Sequence, residues 1–472
     1  MGGGAIGVAT LLRIDNPATG ATVGEVAVAG PDEIEKALEV GTRAKRVWAQ
    51  TPVHARYDIL VRYSQLLTRH RQRLADLLTA ESGKLTAETL GEVDTGTRLF
   101  QGYAERAKTL HGDSFPLDVQ AGLEHDLLIT RREPLGLMLA IIPFNFPVDV
   151  FSHKVAPALA AGNAVIVCPP PDDPLAVNEA VRLFDEAGLP PGVVQVLNGP
   201  GPDVAGRMTG DPRVDAISLT GSTRTGITVA ESGARHLART FLELGGNDAL
   251  IVFADADLEL AAREAVGGRL LANGQCCCAN KRLIVERSVA ADFGDLLVEA
   301  LRGVRMGNPA ETGVNLGPLI KGAAAERVEA QVQQTLAQGA RLRLGGSRGE
   351  GSYFPPTLLE GVPAEADIAA DMEVFGPVFP LIPFDTEADA LAVANRSVYG
   401  LNGSVFTRDM ARAVRVSFAL ECGLVSVNRS GLYRPDLAGF GGYKLSGLGR
   451  EGLAYSLEQL TQLKSVALRD VL

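Results

Sequence analysis

Three consecutive cysteines, Cys276, Cys277 and Cys278, follow Gly274 and Gln275 in a chain of 472 residues. A cysteine thiolate is a nucleophile when a base or a positive potential activates it, so this stretch could carry covalent chemistry. Two other interpretations stay open: the thiols are small apolar residues with a structural role, or they bind a metal. A zinc site needs spaced ligands and a second cluster, and the six histidines are scattered. We therefore expect no metal.

A glutamate, Glu243, stands between two leucines in the segment Phe-Leu-Glu-Leu-Gly-Gly-Asn of residues 241–247. The segment has the character of a strand end, so this carboxylate is expected in apolar surroundings. Such surroundings raise the pKa of a carboxyl group and suit it to act as a general base on water. The alternative is an ordinary strand glutamate that faces solvent.

An asparagine, Asn145, is enclosed by the prolines of Pro-Phe-Asn-Phe-Pro at residues 143–147, directly after an apolar strand. A rigidly held amide can donate a hydrogen bond to a developing oxyanion. The alternative is that Asn145 is an ordinary turn residue.

The segment Thr-Gly-Ser-Thr-Arg-Thr-Gly at residues 220–226, which includes Ser222, lies at a strand-to-helix junction. It could receive a phosphate at the helix N-terminus, or it could be an ordinary helix cap.

Composition limits the classes of protein that these residues can belong to. The chain has 45 basic and 56 acidic residues, a net charge of −11, which argues against nucleic acid or an anionic membrane as a partner. No apolar run reaches the ~18 residues that span a bilayer. Five cysteines, three of them contiguous, do not make a disulfide framework. We therefore expect a cytoplasmic location and, from the length, two or three domains.

The apolar periodicity predicts an α/β protein. Residues 2–7 form a Gly-x-Gly-x-x-Gly that no strand precedes, so we interpret them as a flexible leader. Helical spacing predicts helices from Pro31 through Trp48, over 54–80 and over 86–106. Apolar strands are predicted at 137–142, 163–168, 193–197, 214–219, 249–253, 282–286, 377–382, 402–406 and 423–427. Helices are predicted between them at 151–161, 174–187, 223–232, 289–302, 322–338, 386–395 and 409–418. This alternation is typical of parallel sheets.

The motifs together resemble the aldehyde dehydrogenase superfamily over nearly the whole chain. The matching segments, in family order, are PFNFP with Asn145, KVAPALAAGN with Lys154, TGSTRTG with Ser222, LELGGN with Glu243, GQCCCA with Cys277, MEVFGPV with Glu373 and Phe375, and GGYKLSGLGRE at residues 441–451. The resemblance implies two Rossmann-like parallel-sheet domains and a β-strand oligomerisation arm. It places the cofactor-binding domain at 1–118 and 137–245, the catalytic domain at 246–440, and the arm at 119–136 and 455–472, which would assemble a homodimer or homotetramer.

The resemblance also implies a chemistry for these residues. Cys277 would attack an aldehyde carbonyl, with Cys276 and Cys278 as neighbours that pack or line the substrate pocket. Asn145 would stabilise the oxyanion, and Glu243 would activate water to hydrolyse the thioester. The residues that would contact the NAD or NADP cofactor are Ile142, Phe144, Lys154, Cys168, Ser222, Leu244, Gly245, Glu373 and Phe375.

The sequence departs from the family where the adenosine ribose would bind. The family usually has Lys-Pro-Ser/Ala-Glu there, and this chain has Cys168-Pro169-Pro170-Pro171. Loss of the acid favours a 2′-phosphate and loss of the lysine disfavours it, and Arg224 could compensate. We expect NAD over NADP, with dual use open.

The expected substrate is a small hydroxylated or anionic aldehyde. The segment from Val427 to Asp436 resembles the substrate loop of lactaldehyde and phosphonoacetaldehyde dehydrogenases, in which an arginine at the position of Arg434 can meet such a substrate. A guanidinium binds carboxylate or phosphonate in bidentate fashion, although Arg434 could instead form a surface ion pair. Arg98 and His153 are further candidates.

Three other functions remain as alternatives. A relative that transfers the acyl group to coenzyme A generally lacks a base at the position of Glu243. A catalytically silent scaffold is favoured only by the unusual segment that begins at Cys168. A cysteine hydrolase needs a histidine base, and no motif places one.

Overall fold

The computed structural model describes residues 10–472, and the glycine-rich residues 2–7 lie outside this range. The strands are β1 (Leu11–Asp15), β2 (Thr22–Ala27), β3 (Ser114–Pro116), β4 (Leu127–Pro134), β5 (Leu137–Ile141), β6 (Ala164–Cys168), β7 (Val194–Val196), β8 (Ala216–Thr220), β9 (Arg239–Glu243), β10 (Asp248–Val252), β11 (Asn280–Glu286), β12 (Arg341–Leu344), β13 (Thr357–Glu360), β14 (Val378–Phe384), β15 (Tyr399–Gly400), β16 (Asn402–Phe406), β17 (Leu424–Val427), β18 (Tyr443–Lys444), β19 (Gly447–Leu448) and β20 (Thr461–Leu468).

The α-helices are α1 (Pro31–Gln50), α2 (Val53–Arg69), α3 (Arg71–Ser82), α4 (Thr86–Ala107), α5 (Pro147–Ala161), α6 (Leu175–Ala187), α7 (Ala205–Met208), α8 (Thr223–Ala234), α9 (Leu258–Leu270), α10 (Ala290–Arg302), α11 (Gly322–Ala337), α12 (Glu387–Asn395), α13 (Met410–Ala419) and α14 (Ser456–Gln459). Short 3-10 helices lie at Leu271–Gly274, Arg287–Val289 and Asp367–Ala369. Among residues 10–472, no helix is both long enough and apolar enough to cross a membrane.

Two large sheets form the centre of the molecule. One has the strand order β19-β9-β8-β5-β6-β7, and the other has the order β12-β13-β14-β11-β10-β16-β17. Neighbouring strands are parallel, except that β19 pairs antiparallel with β9 and β12 pairs antiparallel with β13. The predicted α/β class is confirmed. The two antiparallel edge strands were not predicted, because short exposed segments such as β12 lack the apolar run of a buried strand.

Both sheets are covered on their two faces. The central strands β5, β6, β10 and β16 are almost wholly buried, which explains why they read as continuous apolar runs. Separate apolar clusters pack on each face of each sheet. On one face of the first sheet, Tyr63 stacks on Phe184 with ring centroids 3.8 Å apart, and Phe100 packs against both rings. The apolar residues predicted for 54–80 and 86–106 pack in this core, whereas those of α1 are divided, with Trp48 in this core and Ile34 and Leu38 in the cluster on the other face.

The prediction of one helix over 54–80 is wrong, because two helices occupy that stretch. Helix α2 ends at Arg69 and α3 begins at Arg71, with His70 between them at φ −96° and ψ 11°. Both helices pack against α4. Because each helix turns its apolar residues toward the same neighbour, the helical spacing of apolar residues in the sequence does not reveal the break. No glycine or proline marks the turn, and tertiary packing therefore decides its place.

A separate antiparallel sheet has the order β20-β4-β3. Strand β20 pairs with β4 along its whole length, from Thr461 opposite Pro134 to Leu468 opposite Leu127. The two segments predicted to form the arm, 119–136 and 455–472, thus contribute the paired strands β4 and β20 to one sheet. Their role in assembly, and the domain boundaries proposed above, stay predictions.

The predicted site residues follow the carboxyl ends of parallel strands. Glu243 ends β9, Cys168 ends β6, and Asn145 comes shortly after β5. Because β9, β5 and β6 run parallel in one sheet, their carboxyl ends lie at the same edge, where α/β sheets bind ligands. The segment with the cysteines joins α9 to β11 of the second sheet. The site therefore lies where loops of the two sheets meet.

Candidate active site

A cavity of about 370 Å³ brings the three predicted catalytic residues together. Asn145, Glu243 and Cys277 all line it, and so do Cys276 and Cys278. These residues come from separate segments of the chain, and only the fold makes them neighbours. Helices α4 and α5 supply much of the remaining wall.

The loop that presents the cysteines has an unusual backbone. Ala272, Asn273 and Gly274 adopt positive φ values of +50°, +58° and +83° in succession. Left-handed conformations are unfavourable for residues with a Cβ and persist only where surrounding contacts impose them. At Gly274 a Cβ would lie 2.3 Å from the backbone carbon of Gly376, so only glycine fits.

Side chains within the loop supply contacts that impose this shape. Asn273 is buried and uses its whole amide: its Nδ2 donates to Gly83 O (2.9 Å) and Pro318 O (2.8 Å), and its Oδ1 accepts from Gly317 N (2.7 Å). Gln275 accepts from the backbone N–H of Ile320 at 3.0 Å. These bonds anchor the loop on both sides of Gly274.

A buried arginine holds the same loop from behind. Arg269 is 1 % exposed, and its guanidinium donates only to backbone carbonyls. The acceptors are Gly274 O at 3.0 Å, Val374 O at 2.6 Å and Val378 O at 2.9 Å. Burial lowers the pKa of Arg269 to about 10, so it stays charged at neutral pH. The loop of the nucleophile is thereby tied to the segment that carries Glu373 and Phe375.

The three thiols lie in one cluster. The Sγ atoms of Cys276 and Cys278 are 3.5 Å apart, and all three sulfurs lie within 4.8 Å of one another. Hydrogen bonds from Cys277 and Cys278 lower the pKa of Cys276 well below its usual value. The hydrogen bond to Cys276, together with burial, raises the pKa of Cys277 to about 12. Cys277 therefore rests as a neutral thiol, and attack requires a base to remove its proton.

Asn145 contacts the cysteine loop directly. Its Nδ2 donates to the backbone carbonyl of Gln275 at 2.9 Å, and its own backbone carbonyl accepts from Lys84 Nζ at 2.8 Å. An amide nitrogen has two hydrogens, so one N–H remains for a ligand in the cavity. The structure thus sets this donor beside the residues that precede Cys277.

Glu243 is buried in the cavity wall. It is 5 % exposed, and its Oε2 atom has no hydrogen-bond partner among residues 10–472. Burial, together with the nearby charge of Glu451, raises the pKa of Glu243 well above its usual value. A raised pKa makes the ionised carboxylate a stronger base than an exposed one. This property suits a group that must take a proton from water.

A charged cluster lies behind Glu243. Glu451 accepts from Lys154 Nζ at 3.0 Å and from Arg434 Nη2 at 3.3 Å, and Lys154 also donates to Ser218 Oγ at 3.0 Å. Burial opposes ionisation of Glu451, but the charge of Lys154 and then of Arg434 lowers its pKa to about 2. Lys154, predicted near the cofactor, is thus buried with its ammonium group on Glu451.

The predicted nicotinamide-side residues come together around Glu373. Its Oε1 accepts from Gly246 N at 3.1 Å and lies 3.3 Å from Lys281 Nζ. A Cβ on Gly245 would lie 2.5 Å from the Oε2 atom of Glu373, so the glycine leaves room for this carboxylate. Phe144 and Phe375 contact each other edge to face, with centroids 6.0 Å apart.

The residues predicted for the other end of the cofactor lie along the first sheet. Ser222 caps α8, and its Oγ accepts from Thr225 N at 3.2 Å, so the exposed start of this helix can receive a phosphate. Cys168 is buried at the end of β6, and its backbone carbonyl accepts from Ile142 N at 3.0 Å. Burial raises the pKa of Cys168 to about 12. Leu244 is buried beside α8 and lines the cavity. These surroundings fit a dinucleotide across the strand ends.

The three substrate candidates line the cavity but differ in charge. Arg434 lies on the ring of Phe440, with its guanidinium carbon 3.8 Å from the centroid. His153 is buried, and burial together with Arg434 lowers its pKa to about 3, so it is neutral. Arg98 is more exposed and bonds to Asp436 at 3.2 Å.

Sequence reasoning missed several residues of the site. Glu451 was seen only as the last letter of a motif, and Lys84 and Glu92 were not singled out. Glu92 could have been noticed, because it falls on the apolar face of α4 beside Val93. Asp149 lines the cavity, and burial raises its pKa to about 7. Its position in α5 carries no local signal of that environment.

Comparison with known proteins agrees with this fold. The model of the aldehyde dehydrogenase family matches residues 8–466. The chain is 38 % identical to a 3-sulfolactaldehyde dehydrogenase of Pseudomonas putida over 460 residues, 97 % of this chain and 93 % of the relative. It is 33 % identical to a lactaldehyde dehydrogenase of Methanococcus aeolicus over 459 residues, 96 % of both chains.

Solved structures give the same result. An NADP-dependent enzyme of E. coli superposes with a TM-score of 0.94 at 36 % identity, covering 98 % of this chain and 95 % of the other. An NAD-dependent aldehyde dehydrogenase from Sinorhizobium meliloti has a TM-score of 0.94 at 31 % identity, covering 98 % and 92 %. This chain belongs to the aldehyde dehydrogenase family. It is an NAD(P)-dependent oxidoreductase that converts an aldehyde to an acid.

Two substitutions in the cysteine cluster should shift the pKa of Cys277 in opposite directions. Cys276→Ala removes the hydrogen bond that raises the pKa of Cys277, so alkylation of Cys277 should reach its half-maximal rate at a lower pH. Cys278→Ala removes a hydrogen bond that lowers the same pKa, so the profile should move to higher pH. Iodoacetamide labelling followed by peptide mass spectrometry reads the modification at position 277 alone. Shifts in the same direction for both variants would contradict this arrangement of the thiols.

Proposed function

We propose that Cys277 is the nucleophile, Asn145 the oxyanion donor and Glu243 the base of a hydrolytic aldehyde dehydrogenase. The observation that carries this proposal is the shared cavity, in which a thiol, a fixed amide and a buried carboxyl without a partner face one space. These three groups supply the functions that acyl transfer through a covalent intermediate requires.

The reaction begins when Cys277 loses its proton to a base and its sulfur forms a bond to the aldehyde carbon. The carbonyl π electrons move to oxygen, and the Asn145 amide and the backbone N–H of Cys277 stabilise that oxyanion. The carbonyl re-forms with loss of hydride from the carbon, and a nicotinamide held beside Glu373 and Phe375 would supply the hydride acceptor. The product on the enzyme is a thioester at Cys277.

Hydrolysis completes the cycle. Glu243 takes a proton from water, the resulting hydroxide attacks the thioester carbon, and the carbon–sulfur bond breaks. The carboxylic acid leaves and Cys277 regains its thiolate or thiol. Transfer to coenzyme A would not need this base, so Glu243 favours hydrolysis. The intact arrangement of the three residues disfavours a silent scaffold.

Three substitutions test these roles. Cys277→Ala should abolish turnover, whereas Asn145→Ala should lower kcat by about 10² to 10³ because one oxyanion donor is lost. Glu243→Gln should retain a single burst of reduced nicotinamide and lose steady-state acid release. Absorbance of the reduced cofactor, recorded separately with NAD and NADP, measures all three. Turnover that survives in Cys277→Ala, or unchanged acid release in Glu243→Gln, would contradict the assignment.

The cofactor preference that we propose is NAD, with NADP also used. Cys168 is buried at the end of β6, and the three residues after it are prolines, so this turn offers neither a lysine nor a glutamate to the adenosine ribose. Without an acid there, a 2′-phosphate meets no repulsion from this turn. Without a lysine, it gains no attraction either.

The substrate that we propose is a small hydroxylated or anionic aldehyde bound near Arg434. One relative acts on 3-sulfolactaldehyde, and another acts on lactaldehyde. Arg434 lines the cavity, and its guanidinium has five N–H donors, of which Glu451 accepts one at 3.3 Å. The donors that remain can meet an anion or a hydroxyl group.

Arg434→Gln should lower kcat/KM for an anionic aldehyde on the order of tenfold more than for a neutral aldehyde of equal length, because a charged hydrogen bond to substrate is lost. Arg98→Gln, on the same cavity wall, serves as the matched variant. An equal loss for both aldehydes would mean that Arg434 acts only through Glu451, and the substrate role would be rejected.

The assembly that we propose is a homodimer or homotetramer built through the β20-β4-β3 sheet. Its outer strands expose apolar side chains, among them Leu463 and Phe115. An exposed strand edge with apolar residues invites pairing with another chain. A C₂ dimer is the commonest arrangement of such surfaces.

Light scattering tests the assembly. The wild-type chain should show at least twice the 49.7 kDa of one subunit. Leu463→Asp should shift it toward the monomer, because the charge would have to be buried in the interface. A control, Leu237→Asp, alters an exposed leucine outside this sheet. A monomeric wild-type protein would refute the proposal.

A further inference from the structure

The corner between α3 and α4 touches both of the loops that carry the proposed nucleophile and oxyanion donor. Gly83 O accepts from Asn273 Nδ2 at 2.9 Å, on the cysteine loop. At the next residue, Lys84 Nζ donates to the backbone carbonyl of Asn145 at 2.8 Å. Glu88 also reaches the cysteine loop, where its Oε1 accepts from Ala272 N at 3.3 Å. One short segment therefore bridges the two sides of the cavity.

A buried ion pair extends from this corner into the start of α5. Lys84 and Glu92 bond to each other, and their side chains are only 2 % and 1 % exposed. The other oxygen of Glu92, Oε1, accepts from Val148 N at 2.8 Å and from Asp149 N at 3.1 Å. These are amides of the first turn of α5, where the helix has no internal acceptor and where a negative charge is favoured.

Lys84 and Glu92 thus form hydrogen bonds with the backbone of the Asn145 loop and of the residues that follow it. Lys84 holds the carbonyl of Asn145 and lies 4.8 Å from the ring centroid of Phe146. Glu92 holds the amides that follow. The side chain of Asn145 has only its one bond to Gln275 O, so its orientation depends on how its backbone is held.

Stability alone does not account for burying two charges here. Desolvation of an ion pair offsets much of its attraction, and apolar residues of similar volume are often as stable. What the pair supplies is geometry, since an ammonium and a carboxylate fix a carbonyl and two amides at hydrogen-bond distance. An oxyanion donor gains its effect from being held in place before the reaction.

We propose that Lys84 and Glu92 are positioning residues, which fix the Asn145 amide relative to Cys277 for oxyanion stabilisation. Glu92 lines the cavity and Lys84 does not, and the hydrogen bonds of both residues with this part of the site are to the backbone of residues 145–149. This inference rests on the oxyanion role of Asn145 proposed above.

Two variants separate positioning from folding. Lys84→Met removes the bond to the Asn145 carbonyl. Glu92→Gln keeps an oxygen for the α5 amides but presents an amide N–H₂ to Lys84, which displaces the ammonium while the start of the helix stays bonded. Both should lower kcat/KM for the aldehyde on the order of tenfold or more, because a misplaced donor loses most of its effect. KM for the dinucleotide should stay the same.

The rate at which iodoacetamide alkylates Cys277 provides a second measurement, which a general structural defect of the site would change. This displacement occurs at a saturated carbon and builds no oxyanion on a carbonyl, so its rate should stay within about twofold in both variants if only the donor is misplaced. A loss of alkylation in parallel with aldehyde turnover would mean that the whole site is disturbed, and the inference would be overturned.

A double-mutant cycle with Asn145→Ala decides whether the pair acts through Asn145. Lys84→Met, or Glu92→Gln where the first variant is unstable, should have little further effect on kcat/KM once the amide is gone. Effects that multiply would overturn the inference. If Asn145→Ala alone left turnover unchanged, the oxyanion role itself would fail, which is a distinguishable result.

The matched control is Arg71→Met. Arg71 bonds Asp94 at 2.5 Å and joins the same two helices, α3 and α4, but neither residue touches the Asn145 loop. This variant should keep wild-type kcat/KM in both backgrounds. A loss as large as that of Lys84→Met would show that any loosening of α3 on α4 is enough, and it would overturn the positioning role.

Discussion

The structure of the site depends on a run of left-handed backbone at residues 272–274. The chain adopts it because Asn273 and Arg269 satisfy backbone groups that this conformation would otherwise leave unpaired, and because Gly274 admits the close approach of Gly376. Strain of this kind persists only where the surroundings determine it. The thiols therefore sit on a backbone that several distant segments hold in place, and small changes in those segments reach the sulfur.

Charge around the cavity is arranged in layers. Two carboxyl groups of the cavity wall, Glu243 and Asp149, have pKa values that burial raises. Behind Glu243 lies Glu451, whose pKa is lowered to about 2 because Lys154 and Arg434 adjoin it. Two acids a short distance apart thus have opposite protonation preferences. Environment, and not residue type, separates their chemical roles.

Much of this architecture could be predicted from the sequence. Apolar strands such as β5 and β6 read clearly because both of their faces are buried, and the motifs around Asn145, Glu243 and Cys277 led to residues that share one cavity. The break between α2 and α3 could not be predicted, since it follows from packing against α4.

The support of the site was also hidden from the sequence. Lys84 and Glu92 meet Asn145 only after three helices have packed, so no local pattern marks their function. Likewise, Lys154 and Glu451 belong to motifs that are far apart in the sequence, and only the fold brings them together as an ion pair. Long-range pairs of this kind lack the periodic signal that identifies strands and helices.

The short strand β19 has a consequence for biosynthesis. Gly447 pairs with Glu243 across the edge of the first sheet, and Glu451 follows a few residues later. The strand that carries the carboxyl group is made well before its edge partner. A nascent chain can therefore form most of its first sheet and still lack the finished surroundings of Glu243. The surroundings of Glu243 are complete only when residues 447–451 have emerged from the ribosome and have docked.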